Sequence, residues 1–304
     1  MNRLLFFVLA LTIAVASLPD PAIGKEITPA EVYAETVRIE KEMDLLRAYL
    51  KVSEIKPVTP VNAALLPRHV WQQCYLIQLK INVFRRQHGF PVLSAQALEP
   101  VSALEPLMNY EQTQRLLTEI GLLKMRLGIS DQIPSQEVIP GKTPMDVFNK
   151  LHFISMQWDV INHSEVSPSD VYAEVRRVDD DVNAILDHLH IQDTAYPLAK
   201  MADAQSADVL SSAFAVMTEV QRLQQLAGLT RTDFDVFRNK EGASPSDVLN
   251  MVSMVLAELQ TLKAHLGLVY VLTPAAEKQV EKTKTNVNQL LGYVANKLRL
   301  VRSL

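Results

Sequence analysis

Histidines and carboxylates are the side chains of this 304-residue chain that could hold a metal ion. Di-metal sites in helical bundles combine inward-facing carboxylates with a Glu-x-x-His pair on each of two helices. The nearest match is Asp187-x-x-His190, which occurs once and falls at a predicted helix end. His188 and His265 fall in last helical turns, where a cation offsets the helix dipole. The pattern favours helix capping, and we predict no metal site.

An acidic residue also recurs at one position of a repeated helical pattern. It stands just before the fourth apolar residue of the helix in five of seven copies. Such acids could face one another and bind a cation or a basic ligand. We favour a second interpretation, in which a position flanking a buried seam holds a neighbouring helix or loop by an ion pair. The five acids are Glu42, Glu119, Asp181, Glu219 and Glu258, and the two exceptions are Lys80 and Gln157.

Cofactor and nucleophile signals are weak. The chain has one cysteine, Cys74, so it has no Cys-x-x-Cys-His motif for covalent haem attachment. Met43, Met217 and Met254 fall in predicted helices, and methionine on an apolar stripe usually fills space rather than binding haem. Cys74 falls on a buried seam and has no basic neighbour in sequence that would make it a reactive thiolate. We predict no cofactor and no enzymatic activity.

The acids belong to a repeat that runs along the chain. The clearest copies begin Thr28-Pro-Ala-Glu-Val-Tyr, Thr143-Pro-Met-Asp-Val-Phe, Ser167-Pro-Ser-Asp-Val-Tyr and Ser244-Pro-Ser-Asp-Val-Leu, and weaker ones begin at 66, 105 and 205. Successive starts are 38, 39, 38, 24, 38 and 39 residues apart. The first three starts recur after a shift of 139, and the fourth predicts an eighth copy near residue 282. We therefore expect a tandem duplication of a four-helix unit.

Each copy has the residue pattern of a helix with favourable N-terminal capping residues. Ser or Thr is a good N-cap, Pro suits the first helical position, and an acid at the third completes a capping box. Apolar residues then follow at alternating spacings of four and three, a seam that several helices must bury together. A large residue stands beside the first seam position and widens the buried stripe. These residues are Tyr33, Trp71, Tyr110, Phe148 and Tyr172, with Leu210 and Leu249 in the other two copies.

The predicted fold is all-α, with about eight long helices in two units, residues 25–162 and 163–304. The linkers within a unit are about 15 residues long, which exceeds usual bundle connections, and they carry apolar residues that should pack. An extended segment of that length could also run back along a whole helix, which would make the helices of a unit parallel. We favour antiparallel helices with long packed loops.

The N-terminus predicts export. Asn2 and Arg3 precede an apolar run, Leu4 to Ala16, which is short for a membrane span and typical of a secretory signal peptide. We assign residues 1–24 to it, although an uncleaved N-terminal anchor is the alternative. The most apolar later stretch, Val252 to Leu272, contains charged residues, so we expect no membrane span in the mature chain. The predicted location is the periplasm or the medium.

These features define a function class. The sequence pI near 6.0 gives no electrostatic case for nucleic-acid binding. We expect an exported, non-enzymatic helical-repeat protein that binds a partner protein or a cell-envelope component, and self-association stays open. The alternative is a small-ligand-binding or sensory bundle, with a pocket near the aromatic residues at the helix starts. An enzyme whose site is assembled from distant residues is a third interpretation.

Overall fold

The protein is all-helical in the part of the chain that the structure describes. A computed structural model describes residues 26–55, 60–93, 98–163, 166–238 and 242–304. The predicted signal peptide lies outside these residues. The eight helices are α1 Pro29–Leu50, α2 Pro67–Gln87, α3 Pro106–Leu127, α4 Pro144–Ile161, α5 Pro168–His188, α6 Ser206–Leu226, α7 Pro245–His265 and α8 Lys284–Leu300, and a short 3₁₀ turn spans Asp235–Phe237. The all-α prediction with eight helices is confirmed.

The helix starts follow the capping chemistry of the sequence. Four of the starts have Ser or Thr as N-cap and an acid at N3 that accepts from the N-cap backbone N–H, as in Ser167 with Asp170 at 3.1 Å. The predicted eighth start is present, since Thr283 caps α8 and its N–H donates to Asn286 at 3.0 Å. At the other end of α3, Gly128 has a φ of +79°, which only glycine adopts without strain.

The helices within each group run parallel, so the antiparallel expectation was wrong. The first turns of α1 to α4 surround one small cavity of about 10 Å³, and those of α5 to α8 surround another. The connections run back along the bundle. In the linker after α3, the Ile133 carbonyl accepts from Arg38 at 3.0 Å, and Lys142 lies 4.4 Å from the ring centre of Tyr33 near the start of α1. Long linkers thus return the chain to the same end before each helix.

The contacts between helices define two groups with the same arrangement. In the first group, α1 and α2 each contact α3 and α4, so α1 lies diagonally opposite α2, and α3 diagonally opposite α4. In the second group, α5 and α6 each contact α7 and α8. The groups meet mainly through α2 and α7, which are buried along most of their lengths. These two helices form the centre of the molecule.

The two groups run in opposite directions. Arg86, near the end of α2, pairs with Asp170 in the first turn of α5 at 3.0 Å. Ser246, in the first turn of α7, donates to Asp159 near the end of α4 at 2.8 Å. The few residues between α4 and α5 leave no room for a return along the bundle. The chain therefore reverses there, whereas every longer linker restores the helix direction.

Candidate functional site

The structure places each of the five predicted acids against a different basic or amide group. Glu42 pairs with Lys124 and accepts from the backbone N–H of Ile133 at 3.0 Å. Glu119 pairs with Arg85. Glu219 accepts from Arg222 at 2.7 Å and from Arg299 at 2.8 Å. Among the described residues, no group of three or more His, Cys, Asp or Glu side chains is placed to hold a metal ion.

Asp181 lies in a buried contact between two helices. It pairs with Lys263 at 2.6 Å, and both side chains are buried. The Thr273 hydroxyl donates to Asp181 at 2.7 Å and the Gln260 amide donates at 2.8 Å. Burial raises the pKa of Asp181, and the charge of Lys263 opposes that rise. The cluster ties α5 to α7 and to the linker that follows α7.

Glu258 differs because its histidine partner comes from the other group. His69 Nε2 lies 2.8 Å from Glu258, and the Gln224 amide contacts the second carboxylate oxygen. The backbone N–H of Leu66 donates to His69 Nδ1 at 2.8 Å. Since Nδ1 is an acceptor, the hydrogen-bond network assigns the proton to Nε2, which donates to Glu258. The contact joins α2 to α7 in the interior, where its chemistry is that of a buried structural link.

The polar contacts of the two groups correspond after the shift of about 139 residues. The α1–α3 pair Glu42–Lys124 corresponds to the α5–α7 pair Asp181–Lys263. A second correspondence exchanges the charges: Lys80 meets Asp159 at 2.7 Å between α2 and α4, while Glu219 meets Arg299 at 2.8 Å between α6 and α8. Exchange of both charges leaves an attractive pair in place. The repeat therefore extends from helix starts to side-chain partners.

Sequence reasoning missed the basic partners. Three of them stand nineteen residues after the start of their own copies, five positions beyond the acidic position. They are Arg85, Lys124 and Lys263. That recurrence was present in the sequence, but which helix each base would meet depends on the arrangement of the bundle.

The predicted aromatic positions contribute to the core. Trp71 and Phe148 are buried, and Tyr110 is half-buried. Tyr33 and Tyr172 lie under Lys142 and Lys282, with 4.4 and 4.8 Å between nitrogen and ring centre. The cavities at the helix starts, about 10 Å³ each, hold no more than a water molecule. These two cavities among the described helix starts are thus too small for a small-molecule ligand.

A polar cluster outside the predicted set lies between α2 and the linker that precedes α3. Glu99 is buried and accepts from Arg68 Nη1 at 3.0 Å, while Gln72 contacts its other oxygen. Arg68 also donates to the carbonyl groups of Pro100 at 3.0 Å and Ser102 at 2.6 Å. Burial raises the pKa of Glu99 to about 7, and Arg68 acts against the rise. The cluster fixes the linker to α2.

Glu99 predicts a pH dependence of stability. Between pH 4.5 and 7 the folded protein holds a proton on Glu99 that the unfolded chain has lost, so its contribution to stability falls as pH rises. The shift corresponds to about 3 kcal/mol across that window. We expect Glu99→Gln to remove this part of the decrease in unfolding free energy with rising pH, when urea unfolding is measured from pH 4.5 to 7.5. Glu111→Gln, at an exposed position of α3, is the control. An unchanged slope in Glu99→Gln would contradict the prediction.

Comparisons with known proteins bring no further identification. No protein-family model matches the chain, and no curated protein or solved structure is significantly similar to it. None of the described helices has the length and apolar character needed to cross a membrane.

Proposed function

We propose that this chain is an exported, non-enzymatic helical-repeat protein that binds a partner protein or a component of the cell envelope. Export rests on the apolar segment within residues 1–24 of the sequence. We also propose that the chain arose by tandem duplication, which the matched helix contacts and the exchanged charge pairs support. The observation that carries partner binding is a row of exposed apolar side chains on one linker.

We call this row the apolar strip. It consists of Tyr196, Leu198 and Met201, which are 82%, 50% and 47% exposed. All three lie on the linker that connects α5 to α6 and runs over α8. Apolar side chains that lie next to one another on a surface are typical of contact sites, whereas single ones are common on any protein. The strip offers a partner three exposed apolar side chains within six residues of one linker.

The strip is held in one conformation by α8. Side chains of the helix donate to the linker carbonyls: Asn296 to Tyr196 at 3.3 Å, Gln289 to Leu198 at 2.8 Å and Thr285 to Met201 at 3.0 Å. These helix positions span 11 residues, or about 16 Å. A segment that is already ordered loses little conformational entropy on binding, which favours recognition.

Close packing also fixes the linker. A Cβ atom added at Gly292 would lie 2.4 Å from Leu198 Cδ1, so glycine at this position lets the linker approach α8.

The positions of the first group that correspond to the apolar strip, after the shift of 139, are Pro57, Thr59 and Asn62. The strip is therefore a property of the second half of the chain, and the sequences of the two halves differ at this proposed contact surface.

Site-specific photo-crosslinking tests the proposal. A benzophenone amino acid is placed at residue 196 in the full chain, and in a control at residue 49, where a single tyrosine on α1 is 52% exposed. In cells that export the protein, we expect a discrete adduct from position 196 and none from 49, because binding concentrates at the strip. The substitutions Leu198→Ser and Met201→Ser should remove the adduct. Equal adducts from both positions, or none from 196, would contradict the proposal.

A further inference from the structure

A cleft of about 690 Å³ opens at the end of the first group, where α1, α2 and α4 terminate. We call it the terminal cleft. Its apolar lining includes Leu50, Val52, Phe84 and Ile161, and Lys51, His88 and His163 are its ionisable lining residues. Small-molecule sites commonly have volumes of about 300–1,000 Å³ and largely apolar linings. The terminal cleft has the size and composition of such a site.

The walls of the cleft include the C-terminal ends of α1 and α4, where backbone hydrogen bonds cap the helices. The backbone N–H of Val52 donates to the carbonyl of Arg47 at 3.0 Å, and that of His163 donates to Val160 at 3.0 Å. Lys51 and His163 adopt left-handed conformations, with φ of +56° and +54°. These bonds take up carbonyl groups that would otherwise repel an anion at a helix C-terminus. The cleft is therefore present without a ligand. The capping hydrogen bonds also offset part of the negative partial charge of the carbonyl groups at these helix ends.

The exposed ring of His88 lies on one side of the cleft. The buried ring of Phe84 stacks against it, with centroids 3.9 Å apart and an angle of 26° between their planes. The edge of Trp158 meets Phe84 at 5.8 Å, so the pair of rings is itself held by the core. His88 is therefore the aromatic side chain that the cleft exposes.

The charges around the cleft favour an anion. Lys51 contributes an ammonium group, and the two histidines contribute imidazole rings. No carboxylate is among the described residues that line the cleft. From the stacked rings and the basic lining, we infer that the terminal cleft binds a planar aromatic carboxylate. The ring packs on the exposed ring of His88, which the buried Phe84 supports, and the carboxylate lies near Lys51. This site is independent of the partner contact proposed for the strip.

The second half of the chain lacks the same residues. After the shift of 139, Phe84, His88 and Lys51 correspond to Leu223, Ala227 and His190. The aromatic stack and the lysine are therefore present once per chain. We expect a stoichiometry of one ligand per protein, with His88→Ala reproducing the residue that the second half already contains.

Calorimetry on the mature full-length protein tests the inference with three probes. Indole-3-acetate has the ring and the carboxylate, tryptamine has the ring with a cation, and cyclohexylacetate has the carboxylate without a planar ring. We expect one-to-one binding of indole-3-acetate, with the other two at least about 10-fold weaker, a difference of about 1.4 kcal/mol. No binding of indole-3-acetate would overturn the inference, as would equal affinity for all three probes.

Substitutions of lining residues test whether the probe binds in the terminal cleft. His88→Ala should weaken indole-3-acetate at least about 10-fold, and Lys51→Asn, which tolerates the left-handed conformation, should remove the preference over tryptamine. His190→Asn, at the corresponding exposed position of the second half, where φ is +54°, should change neither. All three substitutions are at exposed positions, and unchanged thermal unfolding would show that the variants are folded. Equal binding by wild type, His88→Ala and Lys51→Asn would exclude the terminal cleft as the site.

Discussion

Asp181→Ala is expected to lower the free energy of unfolding by about 3–5 kcal/mol, because it leaves the ammonium group of Lys263 buried without its counter-charge. Lys263 has no solvent-accessible side-chain surface, so water cannot replace the lost carboxylate. Only the hydroxyl of Thr273 would remain within 2.9 Å of Lys263 Nζ among its described side-chain partners. Urea unfolding measured by circular dichroism gives the change.

Two further variants separate the buried charge from other effects of the substitution. Asp180→Ala removes the neighbouring carboxylate, which is half exposed and pairs with Arg176 at the surface, and it should cost at most about 1 kcal/mol. Asp181→Leu combined with Lys263→Met replaces the pair by apolar side chains and should recover part of the loss, since Thr273 and Gln260 still lose their acceptor. If Asp181→Ala costs no more than Asp180→Ala, the Lys263 contact contributes nothing and the prediction is wrong.

Lys80→Glu is expected to lower the free energy of unfolding by about 4 kcal/mol, or to prevent folding, because it replaces an attraction with a repulsion. Lys80 is buried, and its amine meets Asp159 at 2.7 Å and the Ser155 carbonyl at 3.2 Å. Adding Asp159→Arg creates the charge order that Glu219 and Arg299 have in the second half. The double variant should recover at least half of the loss, which a double-mutant cycle of unfolding free energies measures.

The corresponding exchange in the second half provides the matched comparison. Arg299 is 55% exposed, so its pair with Glu219 is weakened by solvent. Glu219→Lys should therefore cost only about 1 kcal/mol, and adding Arg299→Asp should change little more. If Lys80→Glu and Glu219→Lys have equal effects, burial does not govern the strength of these pairs.

The helix starts could be predicted from the sequence because their chemistry is local. A capping box needs a Ser or Thr and an acid three residues later, and both hydrogen bonds form within that segment, as in Ser244 and Asp247. The alternation of apolar residues likewise depends only on the helix period. These signals located α8 through the repeat spacing, although its copy lacks both the proline and the acid.

The direction of the helices could not be predicted in this way. A capped amphipathic helix has the same local signals in a parallel and in an antiparallel bundle. A linker of about 15 residues can form a compact loop or run back along its neighbour, since an extended chain covers about 3.3 Å per residue. The choice depends on contacts such as Arg38 with Ile133, which are distant in sequence. The expectation of antiparallel helices with long packed loops therefore failed.

The sequence by itself determined the all-helical class, the eight helix starts and the apolar seam, because each follows from interactions within a few turns of one helix. Only the tertiary structure decided which base each acid meets, where the apolar strip lies and where the terminal cleft opens. Those features depend on which helices are neighbours and on which ends coincide. Both are set by the paths of the linkers and by packing between the two groups, and neither changes the local pattern of residues.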